Sequence, residues 1–173
     1  DWKAENDQLW HSDQRPLNAI LTGPPGVGKS RALAAAAIAE CKESGRDGLE
    51  WITGYEFAQC VSDLSTDKRD ESTARLQAIT EATTLYFDDL GSANFTTART
   101  SRFFRLIDER YRRKLPTYFS TNYSTPQLKK VFTATGDSKD EAVRILRRII
   151  GTPSEPLARF FHFQRPQKEA KAA

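Results

Sequence analysis

Five short apolar runs mark this 173-residue chain, separated by longer stretches in which apolar positions recur at helical spacing. Leu17–Thr22, Gly48–Thr53, Pro116–Asn122 and Ala158–Phe163 read as strands, and so does the run inside Thr83–Gly91. Runs of this length, rich in β-branched and aromatic residues and bounded by glycine or proline, suit a buried pleated surface. Between them, Arg31–Ser44 is an alanine-rich helix stopped by Gly45, and Tyr55–Leu64 places Phe57, Val61 and Leu64 on one face. Ser65–Ser72 is charged and reads as a loop, and Thr73–Ala82 as a helix with Leu76 and Ile79 inward. Thr97–Lys114 directs Phe103, Phe104, Leu106, Ile107 and Tyr111 to the core, while Arg99, Arg102, Arg105, Arg110, Arg112 and Arg113 cover the rest. Ser124-Thr-Pro-Gln127 is a helix-opening pattern. Asp140–Ile150 sets Ala142, Ile145, Leu146 and Ile149 against Arg144, Arg147 and Arg148. Strands that alternate with helices and are apolar throughout predict an α/β domain whose parallel sheet is covered on both faces.

The junction of the first strand and first helix carries the most specific chemistry. Leu21-Thr-Gly-Pro-Pro-Gly-Val-Gly-Lys-Ser30 completes the pattern G-x-x-x-x-G-K-[ST], with Gly23, Gly28, Lys29 and Ser30 at its fixed positions. Gly23 and Gly28 let the backbone turn tightly and bring its N–H groups against phosphate oxygens. Lys29 places an ammonium between the β- and γ-phosphates, and the Ser30 hydroxyl is a Mg²⁺ ligand. Pro24, Pro25, Gly26 and Val27 complete the cradle, and Arg31 follows at the helix N-terminus, whose partial positive charge faces the anion. The expected ligands are ATP or ADP with Mg²⁺.

A second site element lies 59 residues after Lys29, where Thr83-Thr-Leu-Tyr-Phe-Asp-Asp-Leu-Gly91 ends a strand in two acids. Ligands bind at the carboxyl ends of parallel strands. There Asp88 would hold Mg²⁺ through water, and Asp89 would orient or deprotonate the attacking water. Asn122, at the end of the next strand, would position that water or sense the γ-phosphate.

Charge adds a second partner class. The net charge of +3 hides a balance of −7 over residues 1–90 and +10 over residues 91–173. The basic half is suited to polyanions, and Arg99, Arg102 and Arg105 are the candidates for single-stranded DNA. Cys41 and Cys60 are too few for a disulfide framework and suit a reduced, cytoplasmic protein. No apolar run approaches a membrane span, and no repeat or low-complexity segment is present. The expected division is a lead segment over 1–16, an ATPase domain over 17–163 and a polar tail over 164–173. With no methionine in the chain, an N-terminal partner-binding module is expected to precede it in a longer protein.

Phosphate loop, Phe87-Asp-Asp-Leu-Gly91, Ile107-Asp-Glu-Arg110, Pro116-Thr117 with Ser120-Thr-Asn122, and Arg144-Ile-Leu-Arg-Arg-Ile149 occur in one order. That order resembles the AAA+ ATPase core of the DnaC-type helicase loaders and the IstB-type transposition helpers. The resemblance implies a P-loop NTPase of the three-layer αβα type, with a parallel five-stranded sheet in the order 5-1-4-3-2 and no C-terminal helical lid domain. It also implies that Asp88 and Asp89 form the Walker B pair and that Asn122 is sensor 1. Arg144 or Arg148 would be the arginine finger reaching a neighbour's ATP in a head-to-tail ring or spiral. Asp89 stands where many members have Glu, and Phe163-Gln-Arg-Pro-Gln-Lys168 departs from the family's sensor 2 segment, leaving Arg165 a weak match. The implied function is a DnaC-like loader of a hexameric replicative helicase; the alternative is an IstB-like helper that serves a transposase. A small-molecule P-loop kinase and an ATP-gated scaffold are the readings from other classes. The late arginine-bearing helix and the strand ending in Ser-Thr-Asn argue against the kinase.

Overall fold

The computed structural model describes residues 17–45, 47–133 and 139–165. The lead segment over 1–16 and the tail beyond residue 165 therefore lie outside the described residues. In chain order the elements are β1 (Asn18–Thr22), α1 (Lys29–Ser44), β2 (Leu49–Thr53), α2 (Gly54–Asp63), α3 (Arg69–Glu81), β3 (Thr84–Asp88), α4 (Thr97–Arg112), β4 (Thr117–Thr121), α5 (Thr125–Thr133), α6 (Lys139–Ile150) and β5 (Ala158–His162). The strands form one sheet in the order β2-β3-β4-β1-β5, which is 5-1-4-3-2 read from the other edge. All four pairings are parallel. The fold is that of the P-loop AAA+ proteins, as the resemblance implies.

The two helical layers are unequal among the described residues. α1 alone packs on one face, where Leu33 and its alanines meet Leu21, Tyr86 and Tyr118. The alanine run suits this position, because small side chains let the helix lie close over the sheet. Two hydroxyls of β3, from Thr84 and Tyr86, donate to the Glu40 carboxylate at 2.5 Å and tie α1 to the sheet. The other five helices cover the opposite face, over Ile20, Ile52, Phe87 and Phe119. Phe57, Phe87, Phe95, Phe103, Phe119 and Phe132 form its centre, with ring centroids 5.0 to 6.5 Å apart. Several pairs meet edge to face, the arrangement the ring quadrupole favours. Phe104 and Tyr111, expected in the core, are only half-buried.

Two further expectations are corrected. α3 begins a turn earlier than the charge run suggests, at Arg69 rather than Thr73. Asp70 and Glu71 fall in its first turn, where carboxylates complement the helix dipole, so charge favours the helix there rather than a loop.

The second correction concerns Arg110, which does not share the exposed arginine face of α4. It is 1% exposed, on the stripe of Phe103, Leu106 and Ile107. Its guanidinium donates to the Thr117 hydroxyl at 2.9 Å and to the carbonyls of Ile79, Ala82 and Pro116 at 3.0, 2.7 and 2.7 Å. Burial, with a smaller contribution from Arg113, pushes it down to about 10, so it is still charged at neutral pH. An arginine on the inward stripe is tolerated because it caps the end of α3, meeting the Ile79 and Ala82 carbonyls, and reinforces the entry to β4, where the Pro116 carbonyl also accepts the Leu85 N–H at 3.1 Å. Arg110→Met keeps the volume but removes these donors. At about 1–3 kcal/mol for each acceptor left unsatisfied, the variant should lose about 3 kcal/mol or more, read from urea unfolding.

Candidate nucleotide site

Local sequence puts the phosphate loop where an anion would sit. α1 starts on Gly28, which offers no side-chain cap, and its first turn carries no acidic residue. The free N–H groups of that turn therefore face the loop with no side-chain acceptor of their own. Gly23 opens the loop at φ 149°, and a Cβ there would lie 2.2 Å from the Phe163 carbonyl oxygen. Phe163 is held in turn by its N–H, which donates to the Thr22 carbonyl at 2.7 Å. Only glycine lets the end of β5 pass this close to the loop.

Lys29 is 6% exposed, and its ammonium uses all three protons inside the chain. It donates to the carbonyls of Gly23 and Pro24 at 2.9 and 2.8 Å and to Asn122 Oδ1 at 2.7 Å. Asn122 Nδ2 then donates to Asp89 Oδ1 at 3.2 Å. Burial lowers the Lys29 ammonium from its ordinary range, and the charges of Asp89 and then Asp88 pull it back up. A phosphate oxygen arriving at the loop would meet a cation whose present partners include a neutral amide, a weaker acceptor than an anion.

Among the expected site residues, Lys29, Asp88, Asp89 and Asn122 converge at the carboxyl end of the sheet. Ser30, in the first turn of α1, and Arg31 are exposed there. The candidate fingers separate. Arg148 is held within its own chain, donating from Nε to Asp108 Oδ1 at 2.9 Å with its guanidinium 4.3 Å above the Tyr111 ring. Arg144, one turn earlier on α6, is exposed and makes no hydrogen bond or ion pair among the described residues.

The candidate DNA arginines divide as well. Arg99 donates to the Asn94 carbonyl at 2.7 Å and to the Ser62 hydroxyl at 2.9 Å, linking the loop before α4 to α2. Arg102 and Arg105 are exposed beside a cleft of about 560 Å³, with Leu76 and Phe104 on its walls. Sequence reasoning assigned no role to Ser120, whose hydroxyl touches both acids. Its signal was a small hydroxyl residue in a strand buried at all five positions.

The sequence model of the family described as "IstB-like ATP binding protein" matches residues 10–152. The chain belongs to this family. Among its relatives, the replicative helicase loader DnaI of Bacillus subtilis (strain 168) is 27% identical over 135 residues, 75% of this chain and 42% of the relative. The ATP-binding protein of insertion sequence IS232 from Bacillus thuringiensis subsp. berliner is 30% identical over 115 residues, 66% of this chain and 44% of the relative. A crystal structure of DnaI superimposes with a TM-score of 0.73 at 25% identity, covering 94% of this chain and 82% of that one. This IstB-like chain thus spans less than half the length of the curated relatives it matches. Among the described residues, no helix is long and apolar enough to cross a membrane.

The crowding at Gly23 gives a direct check on the loop. Gly23→Ala must displace either Phe163 or the loop. At about 1–3 kcal/mol for such overpacking, ATP affinity should fall by about tenfold or more in a fluorescent-nucleotide titration.

Proposed function

We propose that this chain is a Mg²⁺-dependent ATPase that acts on DNA in replication, as a DnaC-like loader of a replicative helicase in the cytoplasm. The observation that carries the ATPase reading is the hydrogen-bonded chain Lys29–Asn122–Asp89, lying beside Asp88 and the uncapped start of α1. Lys29 would exchange the Asn122 amide oxygen for oxygens of the β- and γ-phosphates, while residues 23–28 offer their N–H groups. Ser30 and Asp88 would hold Mg²⁺; bound there, the ion neutralises charge on the β- and γ-phosphates. Asp89 would accept the proton of the attacking water, and Asn122 would orient that water or the carboxylate.

These residues include no arginine to meet the charge that spreads over the γ-phosphoryl oxygens. Arg144 and Arg148 are the candidates to supply it to a neighbouring subunit, with guanidinium geometry suited to phosphate. Exposed Arg144 is ready to reach out, whereas Arg148 would first have to leave Asp108. A contact of this kind joins two different surfaces, so the assembly is a head-to-tail homo-oligomer, a ring or a spiral. Single-stranded DNA would lie along the basic second half, with Arg102 and Arg105 the most available of the α4 arginines and Arg99 committed to Asn94 and Ser62.

The loader reading rests on the likeness to DnaI over three-quarters of the chain. A second reading, an IstB-like helper of DNA transposition, rests on the IS232 relative at similar identity and on the family match. Co-purification from the native host separates them: a hexameric helicase supports the first, a transposase the second.

The ATPase reading is tested by turnover with and without single-stranded DNA. Lys29→Ala should lose ATP binding, and Asp89→Asn should bind ATP yet lose turnover. Arg144→Ala/Arg148→Ala should bind ATP and turn over about 10³-fold more slowly or worse. Mixing the Lys29 variant with the arginine double variant should restore activity, because one supplies arginines and the other an intact site. Parent-like turnover by the double variant in an assembled state would rule out the fingers.

A further inference from the structure

We infer that Ser120 is a positioning residue that sets both acids of the site through one hydroxyl, an inference that rests on the ATPase reading above. β3 and β4 run parallel with Phe87 paired to Phe119, so Asp88 and Ser120 are the next neighbours along the two strands. Ser120 is 1% exposed. A hydroxyl has a single proton, and here it is donated to Asp88 Oδ1. The same oxygen accepts the backbone N–H of Asp89 at 2.9 Å. Asp88 Oδ2 accepts no hydrogen bond among the described residues, so the carboxylate is turned with one oxygen anchored and one left for the site.

The grip extends along the turn that leaves β3. The Ser120 carbonyl accepts the N–H of Leu90 at 2.8 Å, and the Thr121 hydroxyl donates to the Leu90 carbonyl at 2.7 Å. Asp89 sits between these anchors at φ 54°, a left-handed conformation that crowds a Cβ against its own backbone. From the other side, Gly54 closes on the turn: a Cβ there would lie 2.6 Å from the Asp89 carbonyl oxygen. Asp89 thus holds a disfavoured backbone geometry, which persists where the surroundings over-determine it. Among the described residues, Ser120 is the one side chain hydrogen-bonded to both Asp88 and Asp89.

Other hydroxyls of β4 have structural employment: Thr117 meets Arg110, and Thr121 meets Leu90. Ser120 differs in that its partners are the two residues assigned to Mg²⁺ and water. Ser120→Ala removes the proton that orients Asp88 and the acceptor that holds Asp89. Losing an outer partner of this kind costs about 10–100-fold in metal affinity or activity.

The test is a Mg²⁺ titration of fluorescent ATP-analogue binding, with kcat, KM and thermal melting measured on the same proteins. Ser120→Ala should melt as a folded protein and bind nucleotide like the parent without Mg²⁺. It should need about 10–100-fold more Mg²⁺ for half-maximal effect or lose kcat by a similar factor. KM for ATP at saturating Mg²⁺ should stay within about threefold, since the phosphate loop is untouched. Ser120→Thr keeps the hydroxyl and should recover most of the loss. In an Asp88→Asn background, Ser120→Ala should shift the Mg²⁺ midpoint little further. If Ser120→Ala does not fold, Ser120→Cys, similar in shape and a weaker donor, is held to the same criteria. Parent-like Mg²⁺ dependence and kcat in the folded Ala or Cys variant would overturn the role of Ser120, as would a folded Thr variant as impaired as Ala. A parent protein that binds no Mg·ATP would overturn the ATPase reading with it.

Discussion

The candidate nucleotide site is assembled because three neighbouring strands finish at one level. β1 pairs Ala19–Thr22 with Tyr118–Thr121 of β4, and β3 pairs Leu85–Phe87 with Thr117–Phe119 of the same strand. The phosphate loop, Asn122 and the acid pair therefore leave the sheet side by side. A slip of one residue between β3 and β4 would send every side chain of one strand to the opposite face. Asp88 would then point away from Ser120, and Leu85 and Phe87 would leave the phenylalanine cluster for the face under α1. The phenylalanine cluster on one face and the Tyr86–Tyr118 contact on the other both oppose such a slip.

Within this frame the chain places two buried cations in opposite roles. Arg110 is enclosed by carbonyls at the end of α3 and just before β4 and by a threonine, all of them fixed parts of the scaffold. Lys29 is enclosed by two loop carbonyls and the side chain of Asn122, which lies at the exposed mouth of the site. Desolvation lowers both from their usual ranges, and hydrogen bonds make the burial tolerable. The difference is exchangeability. The acceptors of Arg110 are held in the buried scaffold, whereas the amide on Lys29 belongs to an exposed side chain, which the proposed function would exchange for a phosphate oxygen.

The arginines of α4 illustrate how little a run of like charge says about surface. Arg110 is core, Arg99 fastens a loop, and Arg112 pairs with Asp108 and Glu109. Arg102 and Arg105 remain exposed. Asp108 is shared between Arg112 and Arg148, so one carboxylate on α4 steadies the last turns of α6. The basic second half of the chain is thus partly spent on packing one helix against another, and only the remainder is free for the polyanion and neighbour contacts proposed above.

Much of this protein is legible in its amino-acid sequence. Period and punctuation place all five strands and the principal helices, because a strand buried on both faces must be apolar throughout and an amphipathic helix must repeat near 3.6. The phosphate loop is legible because its backbone geometry admits so few residues, and Asp88–Asp89 stand out as a candidate because they end an apolar strand in a chain that carries that loop; alone, two such acids would read as a turn. What the tertiary structure decided was which polar groups meet. Arg110 lies on the inward stripe of its helix, yet its acceptors come from residues 79, 82, 116 and 117, and only folding brings α3 and β4 around it. Ser120 and Asp88 are 32 residues apart, and their contact follows from the pairing of two strands, information that no local pattern carries. Arg144 and Arg148 look alike on a helical wheel; Asp108 and Tyr111, from another helix, make one of them a buttress and leave the other exposed. Periodicity reports burial, which each residue feels singly, whereas hydrogen bonds and ion pairs need two partners whose distance is set only when the whole sheet has closed.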